Sequence, residues 1–233
     1  MSGILYGVGV GPGDPKMMTC LAVETIEKCP VIAVPARQRD QALSYRIAKG
    51  MVKGLEEKEC LHLSIPMTKD QAILEESYRA AADQIIRILE DGKDAAYLTL
   101  GDPTIYSTYL YIHRLVKERG YDARIISGVP SFCAMAAIIG DSLADRSQQL
   151  HVIPLAYDTK EAEEILAYKG TKVLMKAGSS LSHVKQLLRE RCLEAVMVEN
   201  CGLEGERVCK SPDQMSDEAG YYTTILVKEA GHG

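Results

Sequence analysis

The chain has 233 residues, of which 46% are hydrophobic and 25% charged, a balance that argues against disorder and allows one large domain or two small ones. Its net charge of −5 gives no electrostatic case for a nucleic-acid partner. No apolar run approaches the roughly 20 residues that span a membrane, and the N-terminus enters a strand pattern at once, so no signal peptide is expected. Seven cysteines, odd in number and without a Cys-x-x-Cys pair, suggest reduced thiols in the cytoplasm. The five histidines are equally dispersed, so no protein-bound metal is expected.

Strand and helix patterns alternate through the first half of the chain. Ile4–Val10 reads as a buried strand, Lys16–Lys28 as a helix, Val31–Val34 as a short strand and Leu43–Val52 as a helix closed by Gly54. Cys60–Ser64 is a strand, and Asp70–Glu90 is the clearest helix, with Leu74, Tyr78, Ala81, Ile85 and Leu89 spaced by three and four. Ala95–Leu100 is a strand, Thr104–Arg119 a helix stopped at Gly120, and Asp122–Ile126 a strand. This alternation predicts a mostly parallel sheet with helices on both faces.

After Gly128 the rhythm changes. A helix over Pro130–Ile139 precedes strands at Leu150–Pro154, Lys172–Lys176, Ala195–Glu199, Glu206–Cys209 and Tyr221–Val227, with helices at Lys160–Ala167 and Ser182–Arg191. Strands bunched near the end predict hairpins and a mixed sheet. The expected organisation is two α/β domains, residues 1–127 and 128–233, with a frayed Gly231-His232-Gly233 end.

The tripeptide Gly-Asp-Pro occurs twice, at Gly13-Asp14-Pro15 and Gly101-Asp102-Pro103, each time after an apolar run. Gly permits a tight strand-to-helix turn, Asp can accept from free N–H groups, and Pro suits a first helical position. Two such turns would frame a ligand crevice at the edge of a parallel sheet. A carboxylate at a helix start offsets the dipole that a phosphate needs, so a cationic or neutral polar ligand is expected. Helix capping alone is the other reading of each Asp. The glycines fail the dinucleotide fingerprint, since position i+5 from Gly7, Gly9 or Gly11 is Pro12, Asp14 or Lys16. No P-loop is present.

The run Tyr6-Gly-Val-Gly-Val-Gly-Pro-Gly-Asp-Pro15, with Gly101-Asp-Pro-Thr-Ile-Tyr106, Ser127-Gly-Val-Pro-Ser-Phe132 and Val198-Glu-Asn-Cys-Gly202, resembles the tetrapyrrole (corrin/porphyrin) methylases, the class III S-adenosylmethionine-dependent methyltransferases. The likeness covers essentially the whole chain in order. It departs at Leu100, where the family usually has another Gly; only backbone groups matter there. The resemblance implies S-adenosylmethionine folded in a cleft between two domains. Its implied contacts are Pro12, Leu100, Gly101, Asp102, Ile105, Ser131, Phe132, Ala177 and Cys201, with Thr223 and Thr224 toward adenine.

It also implies a tetrapyrrole substrate and a cytoplasmic homodimer. The Gly-Asp-Pro-Thr-Ile-Tyr-Ser and Gly-Val-Pro-Ser-Phe segments favour the branch that methylates C20 of precorrin-2 or its cobalt form in cobalamin biosynthesis. A member acting at another ring carbon, or a diphthine synthase-like protein methyltransferase, is the alternative. Asp102 and Tyr106 are the candidate acceptors of the C20 proton. For the acid-edged macrocycle, Arg37 and Arg39 are candidate rim cations and Tyr109, expected to share a helix face with Tyr106, is a candidate aromatic contact. Solvated charge and core packing are the other readings of those residues.

Overall fold

A computed structural model describes residues 2–155 and 161–228. The chain divides into two compact units, Met1–Pro130 and Ser131–Gly233.

In the first unit, β1 (Leu5–Gly9), β2 (Val31–Val34), β3 (Glu59–His62), β4 (Ala95–Thr99) and β5 (Ala123–Ile126) form an all-parallel sheet in the order β3-β2-β4-β1-β5. Helices α1 (Cys20–Lys28) and α2 (Leu43–Lys49) carry the chain from β1 outward to β3. Helices α3 (Gln71–Glu90) and α4 (Tyr109–Glu118) bring it back across the sheet to β5. Right-handed crossovers running in opposite directions put the two helix pairs on opposite faces. One face buries Leu5, Val31, Ala33, Ala95 and Tyr97 against Ala82, Ile85 and Leu89 of α3 and Ile112 and Val116 of α4. Their neighbours Val8, Ile32, Val34 and Leu98 are buried too. Strands covered on both faces read as continuous apolar runs, which is why the sequence pattern found them.

Three helix starts in this unit differ from expectation, each for a local reason. Pro15–Met17 is a separate 3-10 turn, and α1 begins only at Cys20, where the Thr19 hydroxyl accepts from the Ala22 N–H at 3.1 Å. Asp70 lies just outside α3 and caps it, accepting from Ala72 and Ile73. The helix expected from Thr104 starts at Tyr109, because Tyr106 takes φ 48°, a left-handed conformation that no helix contains.

In the second unit, β6 (Leu150–Pro154), β7 (Thr171–Met175), β8 (Ala195–Glu199), β9 (Arg207–Cys209) and β10 (Thr223–Val227) form a sheet in the order β6-β7-β10-β8-β9. The sheet is mixed because β10 returns antiparallel between β7 and β8, while β6 and β7 run parallel. Helices α5 (Ser131–Ile139), α6 (Glu161–Leu166) and α7 (Leu181–Glu190) complete the unit. Leu174, Met197 and Ile225 from the sheet and Val184 and Leu188 from α7 share one core. The strand expected from Tyr221 begins at Thr223, whose hydroxyl donates to the Gly220 carbonyl at 2.6 Å and holds a turn there. Lys160 and the Gly231-His232-Gly233 end lie outside the described residues. Among the described residues no helix is long and apolar enough to cross a membrane.

Candidate functional site

In the first unit the chain leaves β1 toward β2 and leaves the adjacent β4 toward β5, so the loops after β1 and β4 part in opposite directions. This is the switch point at which open parallel sheets bind ligands. Both Gly-Asp-Pro turns sit there, tied by an isolated antiparallel bridge: Gly101 N–H donates to the Gly11 carbonyl at 2.8 Å, and Gly11 N–H to that of Gly101 at 3.3 Å. Gly11 and Gly101 have φ 78° and 69°, which favours glycine at both. Gly9 and Gly128 are required by crowding instead. A Cβ on Gly9 would lie 2.5 Å from the Gly101 carbonyl oxygen, and one on Gly128 only 2.2 Å from it. The crevice floor is therefore backbone packed on backbone from the ends of β1, β4 and β5.

Asp102, 5% exposed, stitches this floor together. Its Oδ1 accepts from Thr104 N–H at 2.8 Å and from the Thr104 hydroxyl at 2.5 Å. Its Oδ2 accepts from Gly128 N–H at 2.9 Å and from the Ser127 hydroxyl. Burial alone would raise its pKa. The hydrogen bonds from Ser127, Thr104 and Gly128 outweigh that and hold the carboxyl below its usual range. Four donors fill the four acceptor positions of a carboxylate. The expected role of Asp102 as a proton acceptor is thus corrected: its lone pairs are engaged and its basicity is lowered. Nor does it cap a long helix, since α4 begins seven residues later. Asp14 is half-buried and caps the three-residue turn after it, its carboxylate accepting among the described residues only from Lys16 N–H at 2.9 Å.

Tyr109 is also corrected. It is 0% exposed and packs on the floor of the α4 face, where the missing side chain of Gly7 makes room for it; a Cβ there would sit 2.0 Å from the ring. Its hydroxyl donates to the Arg124 carbonyl at 2.7 Å and lies 3.0 Å from His113 Nδ1. Burial pushes its phenol pKa up. Tyr109 is a core residue and cannot face a macrocycle, and it shares no helix face with Tyr106, which lies before α4. Tyr106 is 46% exposed. Pro12 is buried beside the bridge, and Leu100 and Ile105 are half-buried on either side of Asp102. Arg37 is exposed and Arg39 half-buried, both in the loop after β2.

In the second unit, β7 and β8 end at the edge where β10 begins, with Thr224 opposite Met175 and Val198. Ala177, buried, opens a 3-10 turn entered through Lys176 at φ 56°. A Cβ on the next residue, Gly178, would lie 2.4 Å from the Gly220 carbonyl. Cys201, just past β8, is buried and its thiol points to the Ser131 carbonyl at 3.7 Å. Burial, with the Glu206 charge, pushes that thiol up to about 11, so it stays protonated. Phe132 and Thr224 are buried. Ser131, Ala177, Cys201 and Thr224 are thus gathered at one sheet edge within this unit.

Ser127 and Gly128 entered the sequence reading only as the start of a signature, and their bond to Asp102 was missed. A buried Asp in a turn needs distant donors, and a Ser-Gly pair at a strand end was the available signal. Among the described residues no group of three His, Cys, Asp or Glu side chains is placed to hold a metal ion.

In fold, the chain is similar to solved methyltransferases of tetrapyrrole metabolism. A cobalt precorrin-4 methyltransferase matches with a TM-score of 0.74 at 17% identity over 97% of this chain and 94% of that one. A uroporphyrin-III C-methyltransferase from Thermus thermophilus matches with a TM-score of 0.70 at 20% identity over 98% and 93%. The sequence is more specific: the model of the Tetrapyrrole (Corrin/Porphyrin) Methylases matches residues 4–213, and the chain belongs to that family. A protein of Methanocaldococcus jannaschii named probable cobalt-precorrin-2 C(20)-methyltransferase is 32% identical, covering 96% of this chain and 94% of its own. The Salmonella typhimurium cobalt-precorrin-2 C(20)-methyltransferase is 29% identical over 98% of both chains, and a Sinorhizobium precorrin-2 C(20)-methyltransferase 28% over 97% of both.

Proposed function

We propose that this chain transfers a methyl group from S-adenosylmethionine to C20 of precorrin-2 or cobalt-precorrin-2 in cobalamin biosynthesis. The observation that carries the reading is near full-length likeness, at 28–32% identity, to the three relatives above, from Methanocaldococcus jannaschii, Salmonella typhimurium and Sinorhizobium, each named for methyl transfer to C20.

The residues of the first unit fit such a donor. S-adenosylmethionine carries a sulfonium and an ammonium and no phosphate. Asp14 and Asp102 put two carboxylates at the β1 and β4 ends, and among the described residues neither forms an ion pair. That field favours a cation and disfavours a phosphate. Pro12, Leu100, Gly101 and Ile105 are the proposed donor contacts in this unit, with Asp102 acting through the floor it fixes. In the second unit they are Ser131, Phe132, Ala177, Cys201 and Thr224.

The donor supplies an electrophilic methyl on a good leaving group, so the protein has chiefly to orient. Holding the meso carbon, methyl and sulfur in line can supply about 7–11 kcal/mol of rate enhancement. A floor of interlocked backbone suits that task, because it has no side-chain rotamers to lose. The C20 proton then passes to water, directly or through the Tyr106 hydroxyl, which takes it as it releases its own to solvent, the Asp102 carboxylate being committed. A cytoplasmic homodimer is the proposed form.

The test is incubation of the purified protein with isotopically labelled methyl donor and either metal-free or cobalt-loaded precorrin-2. A product one methyl heavier, labelled at C20 by NMR, is expected. Label at another ring carbon, or none in either macrocycle, overturns the reading.

A further inference from the structure

The first unit carries a second concentration of charge, on the edge strand β3. A shallow, solvent-open depression of about 400 Å³ runs beside that strand, with Arg37, Arg39, Asp40, Lys58, Cys60 and His62 in its lining. Strand alternation explains the arrangement: Leu61 and Leu63 turn toward the α3 core, so residues 58, 60 and 62 turn the other way. The loop after β2 then lays the two arginines alongside.

In a chain of net charge −5 this spot is cationic, its lining holding Arg37, Arg39 and Lys58 against the single carboxylate of Asp40. The Lys58 ammonium donates to the Glu27 and Cys29 carbonyls, both at 2.8 Å, so it is fixed in place by peptide dipoles. Arg39 is equally fixed. Its guanidinium lies over the Tyr45 ring at 5.6 Å and donates to the Glu56 carbonyl at 2.8 Å. The Asp40 carboxylate is 3.9 Å away and 69% exposed, so water screens it, and the nearby Glu56 carboxylate is paired with Lys49 at 2.6 Å. Arg37 is exposed and makes no hydrogen bond or ion pair among the described residues. Beneath Arg39, the buried Tyr45 hydroxyl makes no hydrogen bond among the described residues.

Resting on the tetrapyrrole reading above, we infer that this depression is a carboxylate-binding subsite that takes an acidic side arm of the macrocycle. Arg37 meets the arm, Arg39 presents a guanidinium already held in position, and His62 adds an N–H donor at the mouth. Fixed cations lose little freedom on binding, so their affinity is available for orienting the ring. The same chemistry would hold inorganic phosphate, and the test separates the two.

Uroporphyrin I, a stable tetrapyrrole with eight carboxylates, is titrated into the wild type, Arg37→Gln and Arg37→Gln/His62→Gln, following its fluorescence. Arg37→Gln is expected to weaken binding roughly tenfold, the size of one solvent-open charge-assisted hydrogen bond, and the double variant further. Affinity for S-adenosylmethionine, measured by calorimetry, and melting temperature are expected to stay at wild-type values. Uroporphyrin binding within twofold of wild type in both variants overturns the subsite. So does displacement of uroporphyrin by millimolar inorganic phosphate from the wild type, because the site would then serve a small free anion. The two readings fail separately. Arg37-dependent uroporphyrin binding without methyl transfer to precorrin-2 breaks the enzymatic reading alone, whereas C20 transfer with an unchanged KM in Arg37→Gln breaks the subsite alone.

Discussion

The two Gly-Asp-Pro turns share a tripeptide and a place at neighbouring strand ends, yet their carboxylates do different work. Asp14 accepts one hydrogen bond from two residues along and stays half-exposed. Asp102 accepts four, two of them from residues 25 and 26 positions away, and is buried. The difference comes from what packs alongside. The exit of β5 delivers Ser127 and Gly128 to the second turn, and the first turn receives no such donors. A motif therefore names a turn, while its neighbours decide whether the acid is a cap or a keystone.

The sharpest way to break this comparison is Gly128→Ala. The added carbon would meet the Gly101 carbonyl, and backbone on both sides leaves little to yield. A loss above about 3 kcal/mol in urea unfolding is expected, with donor binding lost in whatever remains folded. A variant of wild-type stability would show that the three strand ends are not locked together.

Asp102→Asn comes next, at about 2–3 kcal/mol, since an amide cannot accept from all four donors and leaves buried groups unsatisfied. Its pH dependence gives a second reading. The folded carboxyl is held below its ordinary value, so its contribution is present above the unfolded pKa of about 3.9 and fades as pH falls through the folded one. The stability gap between wild type and Asp102→Asn should be flat above about pH 5 and narrow in stronger acid. A gap independent of pH down to acid unfolding would deny the carboxylate this role.

The smallest effect is expected of Asp14→Ala, about 0.5–1 kcal/mol for a lone cap. Equal losses in thermal or urea melts of Asp14→Ala and Asp102→Asn would erase the distinction between the turns.

What could be read from the sequence followed physical range. Strands rich in apolar residues announce themselves locally, and Val31–Val34, buried throughout, runs between the expected residues, as do the edge strand Leu150–Pro154 and the inner strand Ala195–Glu199. The start of α4 was hidden because it depends on the left-handed Tyr106, which no propensity favours. Tyr109 was misjudged for a longer-range reason: its place in the core is set by Gly7, about a hundred residues earlier, whose missing side chain looks like any other turn glycine. The turns themselves were legible as a crevice. The partners of Asp102 were not, because a carboxylate does not declare its donors.

The floor beneath the crevice is backbone packed on backbone and pinned by the Asp102 carboxylate: Gly9 and Gly128 are excluded from growing by crowding, and Gly101 by its handedness. Peptide groups cannot be edited one at a time, so descent with modification has almost nothing to vary there. Divergence among such proteins is then channelled into the flanks, to positions such as Leu100, Ile105 and Tyr106, where a new side chain can reshape what is admitted without disturbing the seat below.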